Sequence, residues 1–106
     1  MQNILIAPLK GIPSEVEVKT HLVQREDDEE NEFHLMVEIS GDTTVLGDEG
    51  QYLTLEFSMY NANKQLIDTT YEVLAYSDDY YGAFEIHLSP PKNETIHEVK
   101  YYINAI

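Results

Sequence analysis

Residues 16–40 read VEVKTHLVQREDDEENEFHLMVEIS, and the alternation on both sides of the acidic run decides the fold class. A period of two is typical of a strand that buries one face. Placing Leu22 opposite Leu35 also places Lys19 opposite Glu38, so that the apolar faces coincide in a hairpin, whereas a slip of one residue would set apolar against polar throughout. The predicted core-facing residues are Val16, Val18, Thr20, Leu22, Phe33, Leu35, Val37 and Ile39.

The same alternation continues along the rest of the chain. It recurs at 52–60, 65–75, 83–89 and 95–105, and the N-terminal apolar segment adds one more strand. Breaks rich in Gly, Pro and Asn separate these segments. We therefore predict one domain, residues 1–106, folded as an antiparallel, immunoglobulin-like β-sandwich of about seven strands. In the less regular segment 65–75, the predicted inward residues are Ile67, Thr69, Tyr71 and Val73.

The second hairpin is predicted around the sequence SMYNANKQLID, residues 58–68. Asn63 is expected to take the left-handed position of a three-residue turn, because Asn tolerates positive φ better than most residues. This turn would pair Tyr60 with Lys64 and Phe57 with Ile67.

The segment LTLEFSMYNANKQLIDTTYEVLAYSDDYYGAFEIHL, residues 53–88, resembles the second half of the FxLYD type of bacterial β-sandwich domain. Tyr60 and Asn61 stand for the Tyr-Asp pair of that pattern, Gly82 lies in its loop, and Phe84 begins its next strand. Lys64 stands where the pattern has a turn glycine, and the Pro-Gly of the loop is missing. The resemblance covers about half of the chain and implies an immunoglobulin-like fold with an accessory or interaction role and no catalytic residue.

Composition restricts the class of partner. Twenty acids against six Lys and Arg give a formal net charge of −14, which repels nucleic acids and anionic membranes. The absence of cysteine excludes disulfides and thiol chemistry. The N-terminus has no basic region and no cleavage site, so a cytoplasmic protein is expected from the chain as it stands; an extracellular one is possible if a leader has been removed.

The acidic run Glu26–Glu32 is the first candidate for a metal site, but it lacks the glycine-bearing spacing of a calcium loop. A solvated loop tip that tolerates deletion of residues 27–30 is the expectation, with a weak divalent site or a contact for a basic partner as alternatives. A second acidic group, Asp42, Asp48 and Glu49, is expected at the opposite end of the sandwich.

The histidines lack the helical spacing of a zinc motif. His34 and His21 are expected near one another on an outer face, with Glu38 as the one further ligand at hand. Surface histidines without a ligand role are therefore expected, with no cofactor, no metal and no catalytic residue. The other two histidines are His87 and His97.

Eight tyrosines are the most informative residues for recognition. The sequence AYSDDYYG combines aromatic contact area with acids and a flexible Gly82, so the loop is predicted to bind a partner. One alternative is that these tyrosines only support strands and half-buried sheet faces, where tyrosine is favoured. Another is that their rings cap the core. The predicted binding residues are Tyr76, Asp78, Asp79, Tyr80 and Tyr81.

These observations predict a non-enzymatic, acidic protein-interaction or accessory module. The alternative is an inhibitor that imitates nucleic acid and occupies a basic groove on another protein, which would need its carboxylates in one continuous stripe. A carbohydrate-binding sandwich with a flat tyrosine platform is a third possibility. The candidate acids for such a stripe are Glu15, Glu17, Glu38, Glu56, Glu72 and Glu85.

Overall fold

The computed structural model describes residues 4–29, 32–47, 51–75 and 82–105. It is all-β, with two packed sheets, and confirms the predicted sandwich of seven strands. One sheet has the order β1-β7-β4-β5 and the other the order β2-β3-β6. The strands are β1 Leu5–Pro8, β2 Val16–Val23, β3 Phe33–Gly41, β4 Tyr52–Tyr60, β5 Leu66–Ala75, β6 Gly82–Leu88 and β7 Glu98–Ala105, with a short 3₁₀ helix at Thr43–Leu46.

The β2–β3 hairpin has the predicted register. Leu22 lies opposite Leu35 and Lys19 opposite Glu38. The inner faces of β3 and β4 are almost fully buried between the sheets, as their alternation predicts, and β7 contributes Val99 and Tyr101 to the same core. Phe57 and Tyr101 pack together with ring centroids 6.3 Å apart. β1 pairs with β7 in parallel, while every other pairing is antiparallel.

The predicted register of the β4–β5 hairpin is wrong by three residues. Phe57 lies opposite Thr70 rather than Ile67, and Leu55 opposite Glu72. A register irregularity at Met59–Tyr60 allows Ile67 to pack against the core. The rest of the predicted inward set is on the other side of the strand, where Tyr71 and Val73 are exposed.

The turn between these strands explains the error. The Oδ1 atom of Asn61 accepts hydrogen bonds from the backbone N–H groups of Asn63 and Gln65, each at 3.0 Å. The backbone N–H of Asn61 donates to the carbonyl of Gln65, and that of Lys64 to the carbonyl of Asn61, both at 3.0 Å. Lys64, with φ of 63°, takes the left-handed position that was predicted for Asn63. An Asn side chain that organises the following backbone is an Asx turn, and here it fixes a longer turn than expected.

Gly41 ends β3 at a position that only glycine fits. Its φ is 94°, and a Cβ atom added there would collide with the backbone carbonyl oxygen of Glu15. The backbone N–H of Asp42 donates to that same oxygen at 2.8 Å. The close approach ties the start of β2 to the end of β3.

Among the described residues, no helix is long and apolar enough to cross a membrane.

Candidate functional site

The outer face of the four-stranded sheet carries a group of aromatic and aliphatic side chains, which we call the aromatic face. The register sets Tyr71, Glu56 and Tyr102 in one row across the sheet, and Leu66, Tyr60, Glu98 and Leu5 in another. Five of its members, Leu5, Tyr52, Leu66, Tyr71 and Val73, are each more than half exposed. Scattered exposed apolar residues are ordinary, but a group on one sheet face is a mark of an interaction surface. The face comprises Leu5, Tyr52, Tyr60, Leu66, Tyr71, Val73 and Tyr102.

Strand alternation explains how the aromatic face coexists with the core. Tyr101 and Tyr102 are consecutive in β7, so their rings point to opposite sides of the sheet. Tyr101 is buried against Phe57, and this burial raises the pKa of its hydroxyl above the ordinary value of 10.0. Tyr102 lies on the aromatic face opposite Glu56. The Tyr-rich tail therefore supplies both core and surface.

Two lysines rest on the aromatic face. The Nζ atom of Lys10 lies 5.1 Å from the ring centroid of Tyr102, and that of Lys100 lies 5.3 Å from the ring centroid of Tyr60. These are cation–π distances. The ammonium groups offset the nearby carboxylates of Glu56 and Glu98. The aromatic face is thus locally close to neutral in a chain whose net charge is −14.

The edge of this sheet is protected against indiscriminate pairing. β5 is an edge strand of ten residues. Its core-facing side includes the half-buried Glu72, opposite Leu55. Charged residues on the inward side of an edge strand discourage a further strand from adding to it. A partner is therefore better accommodated on the face than along the edge.

The outer face of the three-stranded sheet is different, and its main feature is a pair of histidines. His34 of β3 lies directly opposite His87 of β6. Their rings stack with centroids 4.7 Å apart and an interplanar angle of 17°. The Nδ1 atom of His34 lies 3.0 Å from Oδ2 of Asp28, and Nε2 of His87 lies 2.8 Å from Oε2 of Glu32. We call Asp28, Glu32, His34, Glu85 and His87 the histidine cluster.

The loop between β2 and β3 places two of the three carboxylates of the histidine cluster, Asp28 and Glu32. Oδ2 of Asp28 accepts a hydrogen bond of 2.9 Å from the backbone N–H of Arg25. The Gln24 side chain donates to the carbonyls of Glu29 and Glu32 at 3.0 and 3.2 Å. The guanidinium of Arg25 in turn pairs with Glu85 of β6 at 2.5 Å. The loop therefore folds over the sheet face.

The expected solvated tip is correct for only part of the acidic run. Glu26, Asp27 and Glu29 are exposed, but the Asp28 side chain is only 6% exposed and that of Glu32 only 23%. Their carboxylates turn inward because imidazole and backbone N–H groups offer hydrogen bonds there.

Alternation correctly predicted that His34 lies on the outer face. The pairing of β3 with β6, which sets His34 against His87, was not predicted. Antiparallel pairing of 33–40 with 83–89 would have revealed it.

The other predicted site residues are distributed as follows. Tyr76, Asp78, Asp79, Tyr80 and Tyr81 lie outside the described residues, as do Asp48 and Glu49 of the second acidic group. His21 lies opposite Met36, as predicted, and Glu38 lies opposite Lys19.

The carboxylates proposed as a phosphate-like stripe are separated from one another. Glu17 is 3.6 Å from the Lys19 ammonium, and Glu85 pairs with Arg25. Glu56 is on the aromatic face, on the opposite side of the sandwich. Glu72 faces inward on β5, opposite Leu55. Among the described residues, these acids are interrupted by cations and divided between sheets.

Comparison of the chain with protein-family models, with curated proteins and with solved structures found no significant match.

Proposed function

We propose that this protein is a non-enzymatic interaction module that binds a protein partner through the aromatic face. The observation that carries the proposal is the exposure of Tyr71 and Val73, at 58% and 54%, beside further apolar side chains on the same sheet face. An alternation that turns the half-buried Glu72 to the inner side and exposes Tyr71 and Val73 on the outer side reverses the usual distribution. Residues that break the folding pattern are expected at functional sites.

The partner is expected to present an apolar centre with a basic rim. Aromatic side chains give contact area at little entropic cost, and locally balanced charge lowers the cost of desolvation. The net charge of −14 attracts a basic rim and opposes pairing of two copies of the chain. Five residues of the segment that follows β5 in the chain remain proposed contacts: Tyr76, Asp78, Asp79, Tyr80 and Tyr81.

The family proposal remains an FxLYD-type, immunoglobulin-like domain. Immunoglobulin sandwiches place strands A, B and E in one sheet and C and F, with C′ in some, in the other. Naming β2 to β7 in chain order as A, B, C, C′, E and F reproduces the orders A-B-E and F-C-C′. The N-terminal β1 occupies the sheet edge beside β7, where that fold has strand G. Lys64, the residue that replaces the glycine of the family pattern, has positive φ, as a glycine at that turn position would.

The nucleic-acid mimic receives less support. A mimic needs a row of carboxylates with phosphate-like continuity, whereas the candidate acids alternate with Lys19, Arg25 and imidazoles. Charges that are paired locally offer less potential to a basic groove.

A carbohydrate platform is the second candidate, because four tyrosines share one sheet face. Sugar stacking uses exposed ring surfaces. Here the rings of Tyr60 and Tyr102 each already contact a lysine ammonium. Aliphatic Leu66 and Val73 extend the surface further. The combination favours a protein surface over a glycan.

The experiment compares matched variants. Val73→Ser alters the aromatic face, and Val45→Ser alters a similarly exposed valine on the 3₁₀ helix. Proteins that the wild type captures are identified by quantitative mass spectrometry. Each is then purified and titrated against the wild type and against Tyr71→Ser, Val73→Ser and Val45→Ser. Tyr71→Ser is expected to weaken binding by about tenfold or more, as truncating an interface aromatic often does. Val73→Ser should also weaken it, and Val45→Ser should not.

Equal affinity for all variants would place the contact elsewhere. A glycan array probed with the same variants tests the carbohydrate candidate. Sedimentation at low and high salt tests pairing of two copies, and a salt-stable dimer broken by Tyr71→Ser would replace the heterologous partner by a second copy.

A further inference from the structure

We propose that the histidine cluster binds a divalent transition-metal ion of the zinc type, with His34, His87 and Asp28 as ligands and Glu32 or Glu85 as the fourth. The three ligands each offer a donor atom within 4.8 Å of the others. This site lies on the opposite sheet from the aromatic face and does not depend on the proposed function.

The distances suit a small movement of side chains. Zinc binds imidazole nitrogen and carboxylate oxygen at about 2.0–2.2 Å in tetrahedral geometry, so its ligand atoms lie about 3.3–3.6 Å apart. Closing the present separations of up to 4.8 Å therefore requires about 1.5 Å or less, which side-chain rotation supplies. His34 and His87 are directly paired on hydrogen-bonded strands, so the backbone spacing beneath the two ligands is already set.

The ion can take the place of a proton that now joins a histidine to its carboxylate. A carboxylate only accepts hydrogen bonds, so the ring nitrogens facing Asp28 and Glu32 carry the protons. An ion between Nδ1 of His34 and Oδ2 of Asp28 would be bound by both groups, and the neutral imidazole would then carry its proton on Nε2. Nε2 of His34 lies 4.0 Å from Oε1 of Glu85, so a carboxylate stands on that side to face the proton. Carboxylates hydrogen-bonded to histidines are the usual surroundings of zinc ligands.

Charge gives an independent reason for a cation. The Asp28 side chain is only 6% exposed. A buried carboxylate requires compensating charge or strong hydrogen bonds. Around the two imidazoles, Asp28, Glu32 and Glu85 supply three negative charges, and the facing cation is Arg25, which pairs with Glu85. A dication would balance the excess.

The ligand types decide the class of metal. Imidazole nitrogen suits zinc and its transition-metal neighbours, whereas calcium and magnesium prefer sites made of oxygen atoms alone. The site is expected to discriminate strongly in favour of zinc over magnesium.

The test uses the tag-free full chain with Zn²⁺, and Mg²⁺ and Ca²⁺ as comparison ions. Calorimetric titration should give one zinc ion per chain, and zinc alone should raise the melting temperature. His34→Gln and His87→Gln should each weaken zinc binding by about tenfold or more, and Asp28→Asn should weaken it comparably. The matched controls are His21→Gln, on the same sheet face, and His97→Gln, which should both bind like the wild type.

Three results would overturn the proposal: no zinc binding by the wild type, equal binding by His34→Gln and His87→Gln, or an equal loss in His21→Gln. Circular dichroism establishes that each variant is folded. Because His87 is more exposed than His34, at 48% against 19%, His87→Gln keeps the test decisive if the His34 variant is unstable.

Discussion

The two hairpins of this sandwich differ in whether their connecting loop covers the outer face of the sheet. Between β2 and β3, the loop folds back over the three-stranded sheet and brings Asp28 and Glu32 against His34 and His87. Between β4 and β5, a tight turn organised by Asn61 ends at Gln65 and leaves Tyr71 uncovered. One face is filled by residues of its own hairpin, and the other is open.

Loop length accounts for this difference. A loop long enough to carry several polar residues can reverse onto its sheet and satisfy carboxylates with ring and backbone N–H groups. A tight turn is too short to reach back over the sheet, and its polar groups form hydrogen bonds within the turn itself. The covered face is therefore suited to a small ion held by the chain's own side chains, and the open face to a second molecule.

The largest expected effect tests whether the acidic loop is a structured part of the histidine cluster. Asp28→Ala should lower the free energy of unfolding by about 2 kcal/mol, because it leaves two N–H donors without their carboxylate acceptor. Those donors belong to the Arg25 backbone and the His34 ring. Urea unfolding of the metal-free protein measures the change.

Glu29→Ala is the matched control, since Glu29 is exposed in the same loop. Its expected effect is below about 0.5 kcal/mol, as for most surface substitutions. If the two variants unfold alike, the loop is a solvated tip and the contrast between the hairpins disappears.

Sequence pattern was sufficient for the first hairpin because two signals agree there. The apolar faces of β2 and β3 coincide in the observed register and not after a slip of one residue, and Lys19 opposite Glu38 also supports this register. The histidine cluster needed one more step, since it depends on pairing between β3 and β6, which are far apart in the chain. Local periodicity indicates which face His87 occupies but not which strand lies beside it.

The second hairpin shows where the same reasoning fails. Its alternation favoured Tyr71 and Val73 as core residues, on the general rule that apolar side chains are buried. The Asn61 side chain overrides that pattern by fixing the turn, and the register follows the turn. The aromatic face was missed for this reason: the alternation assigns two of its residues, Tyr71 and Val73, to the interior.

The next prediction compares the core side of the four-stranded sheet, where Tyr101 lies, with the aromatic face, where Tyr102 lies. Burial raises the pKa of Tyr101, so the folded state holds this proton more tightly than the unfolded state. Stability from this group is fully present below the unfolded pKa of about 10 and is lost as pH rises through the folded pKa. Tyr101→Phe should remove this part of the alkaline destabilisation, measured by urea unfolding between neutral pH and pH values above about 10. Tyr102→Phe should leave the alkaline loss as in the wild type; an equal effect of the two would mean that the rings are not on opposite sides.

The smallest expected effect tests the tight turn that leaves the aromatic face open. Lys64 is held at φ of 63°, a conformation that costs a residue with a Cβ atom about 1–2 kcal/mol and costs glycine little. Lys64→Gly should therefore stabilise the protein by about 0.5–1 kcal/mol, after allowing for the greater freedom of glycine in the unfolded chain. Lys64→Ala removes the same charge but keeps the strain, so the difference between the two in thermal unfolding isolates the backbone term. Asn63→Gly should give no gain, because Asn63 does not have positive φ. A gain from Asn63→Gly without one from Lys64→Gly would move the left-handed position back to Asn63, restore the shorter turn, and return Tyr71 to the interior, which would remove the open face itself.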